Sequence, residues 1–195
     1  MIREKRRRLL YGVGINDVLL PVQSIVNGKM TDCIFYSRWR QMLKRCYSVP
    51  FLDKYPTYKD CTVCADWLFF SNFKEWMVKQ DWQRKTLDKD ILIFGNKLYS
   101  PETCRFVSAD LNKLIMYPNK SKGDLARGVS FFKITGKYKA GISIDGKYKT
   151  LGYFKTEGEA SNCYKNKKKE IILKAADKQV DLMIKKGLVI HANSI

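Results

Sequence analysis

The sequence predicts an α+β protein in two parts, an aromatic-rich region followed by a three-stranded antiparallel sheet packed on one long helix. Three observations carry this. Apolar residues between Ile34 and Tyr47 recur at helical spacing. After residue 127 the pattern changes to period two, with a tight-turn signal at Asp145-Gly146. Charge also divides the chain. Residues 1–50 hold 10 basic and 3 acidic side chains, net +7; residues 51–111 hold 9 of each; residues 112–195 hold 18 and 7, net +11.

The N-terminus opens with Arg3, Lys5, Arg6, Arg7 and Arg8, which read as a basic arm over 1–10, lying along phosphates, entering a minor groove or simply solvated. Gly12, Gly14 and Pro21 mark an irregular lead-in, and Asn27-Gly28 signals a turn. Phe35, Trp39, Met42, Leu43 and Cys46 then form the buried stripe of a helix, with Arg38, Arg40, Lys44 and Arg45 mostly off it. Pro50 and Pro56 bracket an expected loop. Thr62-Val63-Cys64 is a short strand candidate. Ser71 and Asn72 are expected to cap a helix through about Gln80, with Phe73, Trp76 and Met77 inward. Leu87 to Phe94 looks strand-like and Gly95-Asn96 turns. Ser100-Pro101-Glu102 opens a loop or short helix, and Asp110 to Met116 starts a helix. Residues 117–126 read as a linker between a domain over 11–116 and another over 127–195.

Beyond the linker, Val129–Thr135, Lys137–Ile144 and Lys147–Phe154 are strands. Thr156 caps a helix with Glu157 and Glu159 in its first turn, running to about Lys186 before Gly187 and the polar tail fray it. Alternation puts Ala140, Ile142 and Ile144 on the face that meets the helix through Ala160 and Tyr164. Lys139, Gly141 and Ser143 lie on the other.

Composition excludes several classes. With 45% hydrophobic and 13% aromatic residues the chain builds real cores. No apolar run reaches membrane-span length and no secretory segment follows the basic start, so a cytoplasmic protein without membrane association is expected. Six cysteines are too few for a disulfide scaffold. One histidine removes every mechanism that needs two. A net charge of +18 points to a polyanion, with double-stranded DNA the leading partner. Cys61 and Cys64 form a Cys-x-x-Cys, but no second close pair completes a zinc site and none is expected. Gly12-Val13-Gly14 is not a phosphate loop, since no strand precedes it and no Gly-Lys follows.

The pattern Gly136-Lys137-Tyr138-Lys139-Ala140-Gly141-Ile142, Gly146-Lys147, Leu151-Gly152-Tyr153-Phe154-Lys155-Thr156, Glu159-Ala160 and Tyr164 resembles the ethylene-response-factor (APETALA-two) DNA-binding domain over residues 127–170. The resemblance implies a sheet in the major groove. It places DNA contacts at Arg127, Lys133, Lys137, Lys139, Ser143, Lys147 and Lys149. Lysine makes fewer bidentate base contacts than the family's arginines, so phosphate binding with weaker or different sequence specificity is expected.

Upstream, Leu87-Asp88-Lys89-Asp90, Gly95-Asn96 and Tyr99-Ser100-Pro101-Glu102-Thr103-Cys104-Arg105-Phe106-Val107 resemble the ββα-metal (HNH) homing-endonuclease motif of phage nucleases, in a degenerate form covering about residues 11–115. The resemblance implies Asp88 and Asn112 as ligands of magnesium or another divalent cation. The usual catalytic histidine after the aspartate is here Lys89, which at its ordinary pKa is protonated and is left to clamp a phosphate or stabilise a transition state. Together the resemblances imply a DNA-binding protein of phage or mobile-element type. The alternatives are a metal-dependent endonuclease or nickase using Asp88, Lys89 and Asn112, and a factor that binds a host protein. One domain of each type suits a monomer.

Overall fold

In the computed structural model, residues 9–116, 125–144 and 146–195 are described. The basic run 3–8, most of the expected linker (117–124) and Asp145 of the expected tight turn lie outside them. The chain divides into two units, Met1–Val107 and Ser108–Ile195, a division that falls ahead of residues 117–126. The fold is α+β.

The first unit begins with a turn in which the Leu10 and Gly14 backbones bond each other. Strands β1 (Gln23–Val26) and β2 (Lys29–Asp32) form an antiparallel ribbon. Its turn is Asn27-Gly28, both at positive φ (52° and 72°), the pairing that suits a two-residue hairpin loop. Helix α1 (Ile34–Tyr47) matches the predicted span, and Trp39, Met42, Leu43 and Cys46 are its buried stripe. The expected loop between Pro50 and Pro56 is instead helix α2 (Val49–Lys54), followed by a 3-10 turn at Pro56–Tyr58. Each proline sits in a first turn, where its missing N–H costs nothing.

Strand β3 (Thr62–Val63) pairs in parallel with β5 (Leu98–Tyr99), and β4 (Thr86–Asp88) pairs antiparallel with β6 (Arg105–Val107). The strand expected over 87–94 therefore ends at Asp88; the apolar residues after it line a loop, where Ile91 is fully buried. Helix α3 (Phe70–Val78) starts before the predicted cap. Ser71 lies inside it and bonds Asp17 through its amide and hydroxyl. Trp39 is the centre of the unit's core. It is fully buried, its indole N–H donates to the Trp67 carbonyl at 2.7 Å, and its ring lies 5.4 Å from that of Phe70.

The second unit begins with α4 (Ala109–Ile115), capped by the Ser108 hydroxyl, which accepts from the Leu111 amide. Strands β7 (Val129–Phe132), β8 (Lys137–Ile144) and β9 (Lys147–Phe154) form an antiparallel sheet in that order. Helix α5 (Glu157–Asp177) packs against it. Thr156 and Glu159 form a reciprocal capping box. Ala140 and Ile142 of the sheet and Ala160, Tyr164, Ile172 and Ala176 of the helix are buried. Gly128 lies at φ +76° directly beneath the Tyr164 ring, leaving no room for a Cβ.

The single helix expected to reach Lys186 is two. Asp181 caps a separate α6 (Leu182–Asn193), accepting from the Met183 and Ile184 amides. α6 packs on α5 and buries Ile184, Leu188, Ala192 and Gly187, so that glycine lies mid-helix at a packed face rather than at a frayed end. Among the described residues no helix is long and apolar enough to cross a membrane.

Trp39→Ala is expected to lower the unfolding free energy of the first unit by about 3–5 kcal/mol, read by urea denaturation, since it opens a cavity and orphans the Trp67 carbonyl.

Candidate nucleic-acid interface

A three-stranded sheet with a helix on one face leaves the other face uncovered. The register identifies the residues there. Lys137, Lys139, Gly141 and Ser143 alternate with Ala140 and Ile142, so they point away from α5. Ser130 and Phe132 of β7 pair with Lys139 and Lys137 and share that face. Tyr153 pairs with Lys139 and Tyr148 with Ser143, and both rings join them. The ring contacts agree: the Phe132 and Tyr153 ring centres lie 5.4 Å apart, and the Lys139 ammonium sits 5.4 Å from the centre of the Tyr148 ring.

The aromatic part of this surface is not readable from alternation, because Tyr148 and Tyr153 are an odd number of positions apart. The register slips between Ala140 and Gly141, whose partners are Gly152 and Thr150, leaving Leu151 as an extra residue in β9. That bulge turns Tyr153 onto the face of Tyr148. Gly141 is the other requirement. The Tyr148 hydroxyl lies where a Cβ of residue 141 would be, so only glycine lets the ring lie across the sheet. Tyr148 and Tyr153 remain 58% and 48% exposed.

The other expected DNA contacts are placed differently. Lys147 and Lys149 pair with Ile144 and Ile142 and so start from the opposite side of the sheet, although both are exposed. Lys133 lies in the β7–β8 turn. Arg127 donates to the Met116 carbonyl at 3.1 Å and lies close enough to Tyr164 and Lys168 to influence both charges. It is held in the framework under the sheet. Lys168 is buried there, and burial, reinforced by the Arg127 charge, lowers its ammonium to about 8.

Asp88, Lys89 and Asn112 are not gathered within one unit: the first two lie in the first unit and Asn112 on α4 in the second. Asp88 is buried at the end of β4. Its Oδ1 accepts from the amides of Asp90 (2.8 Å) and Ile91 (2.6 Å), which turns the chain out of the strand. Burial, then the neighbouring Asp90 charge, pushes its carboxyl above the ordinary value against the pull of those amides. Lys89 is also buried, and its ammonium donates to both Asp90 carboxylate oxygens at 2.8 Å and to the Asn96 carbonyl. The Asn96 amide returns a bond to the Lys89 carbonyl at 2.8 Å. This closes the loop 89–96 around an internal cation.

That donor set does not fit a hard divalent cation. One Asp88 oxygen already takes two N–H donors, and the next side chain brings an ammonium. Among the described residues no group of three His, Cys, Asp or Glu side chains is placed to hold a metal. All six cysteines are free thiols. Cys61 is buried and Cys64 is half-buried; burial raises Cys46 and Cys104 to about 12, so both stay protonated.

Asp88→Asn keeps the acceptor and removes the buried charge, so it should equal or exceed the parent in urea denaturation at pH 7. The difference should vanish below the ordinary carboxylate pKa, where the unfolded carboxyl is protonated too. Asp88→Ala should lose about 1–2 kcal/mol with its turn. The Lys168 ammonium titrates lower in the folded than in the unfolded chain, so the penalty for burying it is full below about 8 and fades toward 10.5. Hydrogen exchange across α5 should therefore slow as pH rises through that window, after correction for intrinsic exchange, and Lys168→Met should abolish the trend and add on the order of 1 kcal/mol at pH 7. The chain matches no protein-family model, no curated protein and no solved structure.

Proposed function

We propose that this chain binds double-stranded DNA through the uncovered face of β7-β8-β9. The observation that carries the reading is the make-up of that face: Lys137 and Lys139, hydroxyls at Ser130, Ser143 and Thr150, and the rings of Phe132, Tyr148 and Tyr153, with no acidic side chain among the described residues of that face. Lysines supply charge to phosphates, hydroxyls bond phosphate oxygens or base edges, and the rings offer apolar contact to sugars and thymine methyls. A β-sheet is narrow enough to enter a major groove. Lysine is a point charge on a flexible stem, so affinity should exceed sequence discrimination. The cations of residues 3–8 add to the same electrostatic attraction.

Strand cleavage has weaker support, because Asp88 and Lys89 are engaged with their own loop. Nicking of supercoiled plasmid that requires magnesium and disappears in Asp88→Ala and Asn112→Ala would make the chain an endonuclease instead. A host protein retained by the chain after nuclease treatment would favour the interaction reading.

Fluorescence anisotropy with a labelled duplex, titrated with salt, tests the proposal. Contact with about 7 phosphates gives a log–log slope near −6. Lys137→Ala with Lys139→Ala should weaken binding and flatten the slope by about 2, at roughly 0.9 per phosphate contact. Affinity indifferent to salt, or unchanged in the double variant, overturns the assignment of this face.

A further inference from the structure

Among the described residues the ribbon β1–β2 pairs with no other strand. Ile25 and Met30 stand directly opposite each other and are 72% and 66% exposed. Exposing a matched apolar pair is unfavourable by about 25 cal/mol per Å² relative to burying it. The root of the ribbon, by contrast, is held. On the same face, Gln23 donates to Asp32 Oδ1 at 2.8 Å, and Arg40 of α1 pairs with Asp32 Oδ2 at 2.7 Å. The Cys33 amide donates to the Val22 carbonyl at 2.8 Å. The Asn27-Gly28 turn keeps the tip narrow, and Lys29 beside it is exposed.

Charge selects the occupant. Residues 9–50 contain two carboxylates, Asp17 and Asp32, and both are engaged, Asp17 by Ser71 and Asp32 by Gln23 and Arg40. Lys29 of the ribbon and Arg40 at its root are exposed cations. An apolar pair on a narrow ribbon, flanked by cations and without an unengaged carboxylate, is complementary to a polyanion with an apolar interior: stacked base pairs behind phosphates.

We propose that the ribbon Gln23–Asp32 is a DNA wedge, entering the minor groove so that Ile25 and Met30 part a base step and kink the duplex. The proposal rests on the DNA-binding reading above, and the test separates the two. Both side chains are exposed, so Ile25→Ser with Met30→Ser leaves the core untouched. The full chain and this double variant are mixed with a mixed-sequence duplex of about 30 base pairs carrying a dye at each end, the length over which bending is readily read. Anisotropy reports binding and energy transfer reports end-to-end distance in the same sample. The parent chain should shorten the duplex by a bend of roughly 20–90°. The variant should bind with energy transfer returned to the free-duplex value. Binding by the parent without bending, or equal bending by the variant, overturns the wedge and leaves the sheet assignment intact. No binding by the parent at all overturns both. A parent that is dimeric by light scattering and a variant that is monomeric, with bending unaltered, assigns the ribbon to self-association instead.

Discussion

The second unit depends on one packing arrangement, the seating of α5 on a single face of a three-stranded sheet. Ala140 and Ile142 meet a helix whose own contact residues, Ala160 and Tyr164, lie one turn apart. The small alanines let backbone approach backbone, and Gly128 admits the Tyr164 ring. The reciprocal capping box at Thr156 and Glu159 sets where the helix starts, and so which sheet residues it covers. Once that face is taken, alternation leaves Lys137, Lys139 and Ser143 nowhere to point but outward. The proposed interface is thus a by-product of core packing: the helix selects the face, and the face presents the cations.

The first unit shows a different economy. Its core is aromatic: the Trp39 ring packs on Phe70 and the Trp67 ring on Phe73, and Trp39 also satisfies the buried Trp67 carbonyl. Around Asp88 the polar groups are turned inward on each other. Asp88 caps its own turn, and Lys89 spans the loop from Asp90 to the Asn96 carbonyl. Arg45 lies 5.9 Å from the Tyr58 ring centre, with Tyr99 and Asp88 close enough to influence its charge. Carboxylates arranged in this way hold a fold together. Residues 51–111 are also electrically balanced, which leaves attraction to a polyanion to the two ends of the chain.

Local signals explain why parts of the chain were readable and others were not. α1 is legible because Phe35, Trp39, Met42, Leu43 and Cys46 form a stripe no other period reproduces. β8 and β9 are legible because Gly146 and the flanking alternation leave one pairing. The apolar run Ile91–Phe94 imitates a strand, but the Asp88 side chain takes the amides of residues 90 and 91 and ends the ladder first. The break between α5 and α6 is concealed because Lys178 and Gln179 are good helix formers; Asp181 capping a second helix, and the burial gained when that helix folds back, decide it. Pro50 and Pro56 read as loop markers, yet each begins a helical turn.

From the sequence alone come the α+β class, the strand–strand–strand–helix order of the C-terminal region, its capping residue and the cationic ends. These depend on neighbours a few positions apart. The location of the interface depends on residues far apart in the chain. Only the tertiary structure shows that a bulge at Leu151 brings Tyr148 and Tyr153 to one face, that Lys147 and Lys149 start from the other, and that Arg127 is held by the Met116 carbonyl. Likewise Ile25 and Met30 are unremarkable in sequence and become a pair only when the Asn27-Gly28 turn sets the register. A one-residue change of register moves every later side chain to the opposite face, and register is fixed by turn geometry together with the packing of one face.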